Sequence, residues 1–162
     1  ALTGHLVLST LHTNDAPGAL SRLSDLGIEP FLLGSSVVGI IAQRLVRKIC
    51  SQCKAQHKPS NEELAVLFPD GNPEAVTLYK GQGCKACKKS GYLGRMGLFE
   101  VLVITDQVRE LILKQAPPMA IRDFAQETQS FKTLREDGIA KVIDGLTTVQ
   151  ELNRVTFADF KK

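Results

Sequence analysis

The stretch "HLVLSTLHTNDAP", His5 to Pro17, decides how this chain is read. His5 to His12 is a short, mostly apolar run with too little alternation for a strand with one wet face. Turn-forming residues follow it, and the combination predicts a strand in a sheet covered on both faces. Thr13 or Asn14 is placed to cap the next helix and Pro17 suits its first turn. Leu20, Leu23 and Leu26 form its buried stripe before Gly27 ends it. The stretch is therefore a βα unit, and the chain is expected to be α/β.

The two histidines of the stretch are an odd number of residues apart. In a continuous strand they point to opposite faces and lie up to about 23 Å apart, at roughly 3.3 Å per residue. They cannot share one ligand atom. Ligands of open α/β sheets gather at the carboxyl ends of strands, which makes His12 the candidate for contact and His5 a structural residue.

Downstream, Pro30 starts a second, longer helix expected to run to about Ile49, carrying Phe31, Leu32, Val37, Val38, Ile41, Leu45 and Val46. Leu98 to Ile104 reads as a strand, after a glycine-punctuated turn from Gly91 to Gly97. Helices then dominate. Thr105 or Asp106 caps one with Val108, Leu111 and Ile112 on one face, Pro117-Pro118 breaks it, and Ile121, Phe124 and Ala125 mark the next. Thr133–Asp144 and Thr148–Val155 supply two more, with Gly145 between them. The longest apolar-rich stretch, Phe31 to Ile41, is interrupted by Gly34, Ser35, Ser36 and Gly39 and is far short of the roughly 20 residues of a membrane span.

All four cysteines lie in two CxxC pairs, Cys50-Ser-Gln-Cys53 and Cys84-Lys-Ala-Cys87. One CxxC turn lets two thiolates bind one ion, and two such turns complete the tetrahedral sulfur set that structural zinc prefers. Paired disulfides would need an oxidising compartment, a redox couple needs only one pair, and an iron–sulfur cluster is the remaining alternative. His57 is close enough in sequence to replace one cysteine. Gly83 to Ser90 imitates a phosphate-binding GxxxxGK[ST] loop, but Lys88 stands where the second glycine must allow close backbone approach, so it is not one.

The net charge of +3 conceals an asymmetry: Arg44 to Arg95 holds ten Lys/Arg against four Asp/Glu, leaving ten against thirteen elsewhere. Lys48, Lys54, Lys85, Lys88 and Lys89 flank the cysteines, where cations help keep thiols ionised. A zinc-ribbon nucleic-acid binder is a rival reading, since this basic region also holds Tyr79 and Tyr92. It is weaker because the lysines cluster at the cysteine turns and do not interleave with stacking residues. A docking surface around Lys88 and Lys89 is a further reading.

"ALTGHLVLSTLHTNDAPGA", Ala1 to Ala19, resembles the His box of the ATPases that drive type II secretion and type IV pilus assembly. "GIEPFLLGSSVVGIIAQRLVRKICSQC", Gly27 to Cys53, and "CKACKKSGYLGRMGLFEVL", Cys84 to Leu102, resemble the approach to their tetracysteine zinc insertion and its second half. The resemblance covers residues 1 to about 102 and is nearest the general-secretion and pilus-extension branches. It implies the end of a RecA-like P-loop core over residues 1–49, with the His-box strand and two helices. It also implies a zinc module over 50–92, then a returning strand and a C-terminal helical subdomain over 93–162. It further implies a cytoplasmic homo-hexamer that uses ATP and Mg²⁺, associates peripherally with the inner membrane through platform and adaptor proteins, and binds no nucleic acid. Zn²⁺ would sit on Cys50, Cys53, Cys84 and Cys87. His12 would sense the γ-phosphate and His5 support it, with Thr10, Thr13 and Arg44 in the nucleotide's vicinity.

No Walker A and no acidic metal-holding motif occurs in these residues, so the parts that grip ATP and Mg²⁺ are expected upstream of Ala1 in a longer protein. The 162 residues alone are expected to show no measurable ATP hydrolysis and very weak nucleotide binding. Steady phosphate release in a coupled assay would reject this placement of the nucleotide site.

Overall fold

Regular structure begins later than the sequence predicts. The computed structural model describes residues 3–71 and 76–156. In it, residues 5–13 carry no regular secondary structure, and Leu6 and Leu8 are 82% and 88% exposed. The expected His-box strand is thus corrected. A strand is stable when a neighbour satisfies its backbone N–H and C=O groups, and among the described residues no strand pairs with this run. Helix α1 (Ala16–Asp25) follows, capped by Asp15 instead of Thr13 or Asn14. Asp15 has extended backbone angles, φ −145° and ψ 172°, and its Oδ1 accepts from Gly18 N at 2.7 Å.

The second expected helix is also corrected. Helix α2 (Pro30–Ser36) is short, and strand β1 (Gly39–Ile49) takes up the rest. Residues 37, 41 and 45 are spaced by four, which places them on one side under a helical period and under a strand period alike. The β-branched run from Val37 to Ile41, with Gly39 inside it, decides for the strand. Ile40, Ala42, Arg44 and Val46 turn inward while Ile41, Gln43 and Leu45 face out, an alternation of period two.

The remaining elements are β2 (Lys54–His57), α3 (Asn61–Leu67), β3 (Leu78–Gly81), β4 (Tyr92–Val103), α4 (Asp106–Leu113), α5 (Pro118–Thr128), α6 (Leu134–Ile143) and α7 (Val149–Val155). The architecture is mixed α/β. Strands β1 and β4 pair, as do β2 and β3. Ile104 N bonds Val38 O beyond one end of the first pair and Cys50 N bonds Gly91 O beyond the other, so those strands run antiparallel. Among the described residues, no helix is long and apolar enough to cross a membrane.

The chain divides into two compact units. The first comprises residues 1–43 and 99–133, the second 44–98 and 134–162. In the first, α1 packs on α5 and α2 on α4, around a core that includes Leu20, Leu33, Leu102, Val108, Ile121 and Ala125. The helices after β4 are shared out, α4 and α5 to the first unit and α6 and α7 to the second. Thr105 caps α4 through Val108 N, as its position before an apolar helical stripe predicts.

In the second unit β2 and β3 form an antiparallel hairpin in which Lys54 faces Gly81 and His57 faces Leu78. Helix α3 opens with a capping box: Ser60 Oγ accepts from Glu63 N, and Glu63 Oε2 accepts from Ser60 N at 2.9 Å. The unit's polar centre is Glu151, whose side chain is fully buried. Its two oxygens accept from Arg47 N at 2.9 Å, Arg47 Nη2 at 2.7 Å and Arg154 Nε and Nη2 at 3.0 and 2.9 Å. The Arg47 guanidinium also lies 4.2 Å from the Tyr92 ring centre, and the Tyr92 hydroxyl meets Thr148 Oγ1 at 2.8 Å.

Burial alone would raise the Glu151 carboxyl, but the bonds from Arg154 and Arg47 prevail and hold it at about 2. The folded state therefore releases this proton more readily than the unfolded chain, where a glutamate titrates near about 4.3. The stabilisation is complete above that value and is lost as pH falls toward about 2. Glu63, also held below the usual range against the pull of burial by Ser60 and His57, adds in the same direction. Glu151→Gln should lower the second unit's unfolding free energy by about 3 kcal/mol near neutrality, the low end for a broken buried pair because both guanidiniums keep contact with water. It should also flatten the acid limb of the stability curve. An unchanged acid limb in denaturant titrations at several pH values would reject the assignment.

Candidate functional site

Each cysteine sits at the end of a strand of the second unit. Cys50 follows β1, Cys53 precedes β2, Cys84 lies three residues past β3, and Cys87 lies five before β4. The fold brings all four sulfurs within 4.8 Å of one another. The Sγ–Sγ separations are 3.9 Å for Cys50–Cys84, 3.8 Å for Cys53–Cys87 and 3.7 Å for Cys84–Cys87. A disulfide would need about 2.05 Å. A tetrahedral ion with metal–sulfur bonds of about 2.3 Å has edges of about 3.8 Å; these three separations match such edges, and all four sulfurs lie close enough to share one ion.

The backbone around the sulfurs is shaped to donate to them. Gly83 N reaches Cys53 Sγ at 3.3 Å, Cys84 N reaches Cys87 Sγ at 3.1 Å, and Gly91 N reaches Cys87 Sγ at 3.3 Å. The bond from Cys84 N, with that from Gly91 N, outweighs burial and brings the Cys87 thiol down to about 6. Burial pushes Cys53 up to about 11. Four sulfurs this close fit a shared cation better than four independent thiols. Lys88 and Lys89 adopt left-handed backbone angles, φ 50° and 63°, to close the second turn, and both side chains are exposed beside it. Gly81 and Gly91 touch backbone to backbone: a Cβ on Gly81 would lie 2.0 Å from Gly91 O. Glycine is required there for the β2–β3 hairpin to approach the sulfur cluster.

His57, the alternative ligand, is committed elsewhere: its Nε2 lies 2.8 Å from Glu63 Oε2, at the cap of α3. Gly83 to Ser90 forms the second sulfur-bearing turn, with Ser90 Oγ donating to Cys87 O at 2.6 Å. The two tyrosines of the basic region are both engaged within the second unit. Tyr92 lies against Arg47, and Lys54 Nζ stands 4.2 Å from the Tyr79 ring centre.

The histidine stretch lies in the first unit. His12 is exposed, and Thr13 Oγ1 donates to Asp15 O at 3.1 Å. His5 is exposed, its Nδ1 3.3 Å from Thr3 Oγ1, and Thr10 is exposed. Arg44 is half-buried on β1, as is Arg47, which is given over to Glu151. Among the described residues, neither His5 nor His12 joins a cluster of metal-ligating side chains.

Sequence reasoning missed three polar residues that organise these places: Asp15, Glu100 and Glu151. The signals were present. Asp15 directly precedes Ala16-Pro17 at a helix start, and Glu100 interrupts the buried row Leu98, Glu100, Leu102 of β4.

The family model described as "Type II/IV secretion system protein" matches residues 1–154. The chain is 48% identical over 157 residues to the type II secretion system protein E of Pseudomonas aeruginosa, covering 96% of the chain and 30% of that protein. It is 45% identical over 156 residues to the type II secretion system ATPase E of Vibrio cholerae, with coverage of 96% and 30%. It is 43% identical over 153 residues to the type IV pilus assembly ATPase PilB of Thermus thermophilus, covering 94% of the chain and 17% of that protein. The chain thus spans less than a third of the length of the curated relatives it matches.

The sulfur geometry predicts one divalent ion per chain in reduced protein and its loss in Cys87→Ser. The substituted chain should also lose order in the β2–β3 hairpin, seen as faster amide exchange. Metal-free wild-type protein, or full metal content in Cys87→Ser by elemental analysis, would reject the shared site.

Proposed function

Because the chain belongs to the Type II/IV secretion system protein family, we propose that it is part of a traffic ATPase that powers type II protein secretion or type IV pilus assembly. The observation that carries this is the alignment of nearly the whole chain with proteins of both machines, two of them named as ATPases. Under this reading the complete protein is a hexamer that moves an inner-membrane platform, and it uses ATP with Mg²⁺. Residues 1–49 belong to its RecA-like core, 50–92 to a zinc module, and 93–162 to a returning strand and C-terminal helices. The phosphate-gripping segments lie outside the 162 residues, which on their own are inactive.

Cys50, Cys53, Cys84 and Cys87 would hold Zn²⁺, which cross-links the two turns and keeps all four sulfurs as thiolates. The tetrahedral spacing of the sulfurs supports this. Their role is structural: they tie the strand ends of the second unit to one another. The imidazole of His12 donates one hydrogen bond to the γ-phosphate of ATP and loses that partner when the phosphate leaves, which makes it a sensor of nucleotide state. The exposure of His12 in the first unit supports this, since its ring is accessible to a nucleotide held elsewhere. His5 supports the same run, and Thr10, Thr13 and Arg44 stand in the nucleotide's vicinity.

In the complete enzyme, His12→Ala should lower kcat by about ten- to a hundredfold, the worth of a hydrogen bond to a charged group, with little change in KM for ATP. Steady-state kinetics at saturating ATP test this. Unaltered kcat would remove the sensor role.

A further inference from the structure

We propose that Glu100, on β4, is a positioning residue for His12: it holds Ala16, the first residue of α1, and thereby fixes the helix start that follows His12 four residues on. This rests on the reading of His12 above and extends it to a residue that does not touch nucleotide. Glu100 is only 2% exposed, and its Oε1 accepts from Ala16 N at 2.7 Å. The bond joins residues 84 apart in sequence, so it fixes α1 to the strand and not to its own neighbours. A second fixing point lies one residue upstream. Asp15 Oδ1 accepts from Gly18 N at 2.7 Å and Asp15 Oδ2 from Arg122 Nη2 of α5 at 2.5 Å. Gly18 cannot be replaced without disturbing the turn, because a Cβ there would lie 2.4 Å from Asp15 Oδ1.

Two first-turn donors of α1, Ala16 N and Gly18 N, are therefore already taken by carboxyl groups of this chain. The residue between them is Pro17, which has no N–H. These two donors are not available to a phosphate, which an isolated helix N-terminus would attract. What the start of α1 does instead is present the residues before it. Thr13 is bonded to Asp15, Asp15 to α5, and Ala16 to Glu100, so the residues that follow the exposed His12 are held at three points. An imidazole that must meet a phosphate within hydrogen-bond distance needs such an anchor, because misplacement by about 1 Å costs up to about a hundredfold in rate.

The test is a double-mutant cycle in the complete ATPase. Glu100→Ala should lower kcat by about tenfold while KM for ATP stays within about twofold. Glu100→Gln, which keeps an oxygen for Ala16 N, should recover most of that loss. The double variant Glu100→Ala with His12→Ala should be no slower than His12→Ala alone, because both act through one imidazole. Should Glu100→Ala fail to fold, Asp15→Asn loosens the same turn by weakening its tie to Arg122 and should show the same non-additivity with a smaller loss. Full activity in Glu100→Ala, or losses that multiply in the double variant, overturn the inference while leaving the sensor role of His12 intact. Unaltered turnover in His12→Ala overturns both.

Discussion

The β2–β3 hairpin and the ends of β1 and β4 depend on the crowding of four sulfurs into a space less than 5 Å across. The strands there are short. β2 and β3 have four residues each, which gives a hairpin little stability of its own in water. The cysteines lie just beyond the ends of these strands and of β1 and β4, so one cluster pins four chain ends at once. The cost of closing the loop from Cys53 to Cys84 grows only slowly with its length, so a cluster at its base can hold a long loop in place. The lysines beside the cluster suit thiolates at these positions, because positive neighbours lower the energy of negative sulfur.

A second constraint, independent of sulfur, is the burial of Glu151. A lone carboxylate in that place would be prohibitively costly, and the fold answers with two guanidiniums and a backbone N–H. Arg47 comes from β1 and Arg154 from α7, so the carboxylate joins a strand to a helix 104 residues away. Such a knot specifies as much as it stabilises. An apolar residue at 151 would pack against many partners, whereas a carboxylate accepts only the arrangement that supplies all its donors. The stacking of Arg47 on Tyr92 then fixes the start of β4 to the same point.

Local chemistry was legible in the sequence and distant pairing was not. The cysteine turns, the cap at Thr105 and the breaks at Gly27 and Pro117-Pro118 are set by residues within a few positions of one another, and each lies where the sequence places it. Residues 37–49 failed as a helix because a spacing of four fits both periods, so only the β-branched density between Val37 and Ile41 carried the distinction. The cap of α1 is Asp15 and not Thr13 or Asn14, and Asp15 is also held by Arg122, more than 100 residues away, a tie that no local pattern announces. Glu100 could be singled out as an acidic residue in a buried row, but neither it nor Glu151 names its partner, because a single acidic residue in a strand or helix does not say what it will meet.

The failure at Leu6 to Leu11 has a different cause. Its Leu6, Val7, Leu8 and Leu11 side chains are apolar enough for a buried strand, yet they face solvent. The first unit repeats the pattern on its strands. Ile41, Phe99, Val101 and Val103 are between 44% and 67% exposed, while their alternating neighbours Ala42, Glu100 and Leu102 turn inward. Strands that are apolar on both sides are those of sheets covered on both faces. Leaving such side chains in water forgoes about 25 cal/mol for each Å² that a cover would hide. The composition of these strands therefore encodes more burial than the described residues provide. Glu100 marks the limit of that rule: on the inward side of an apolar strand it gives up hydration to hold α1, a sacrifice that apolar packing alone would never select.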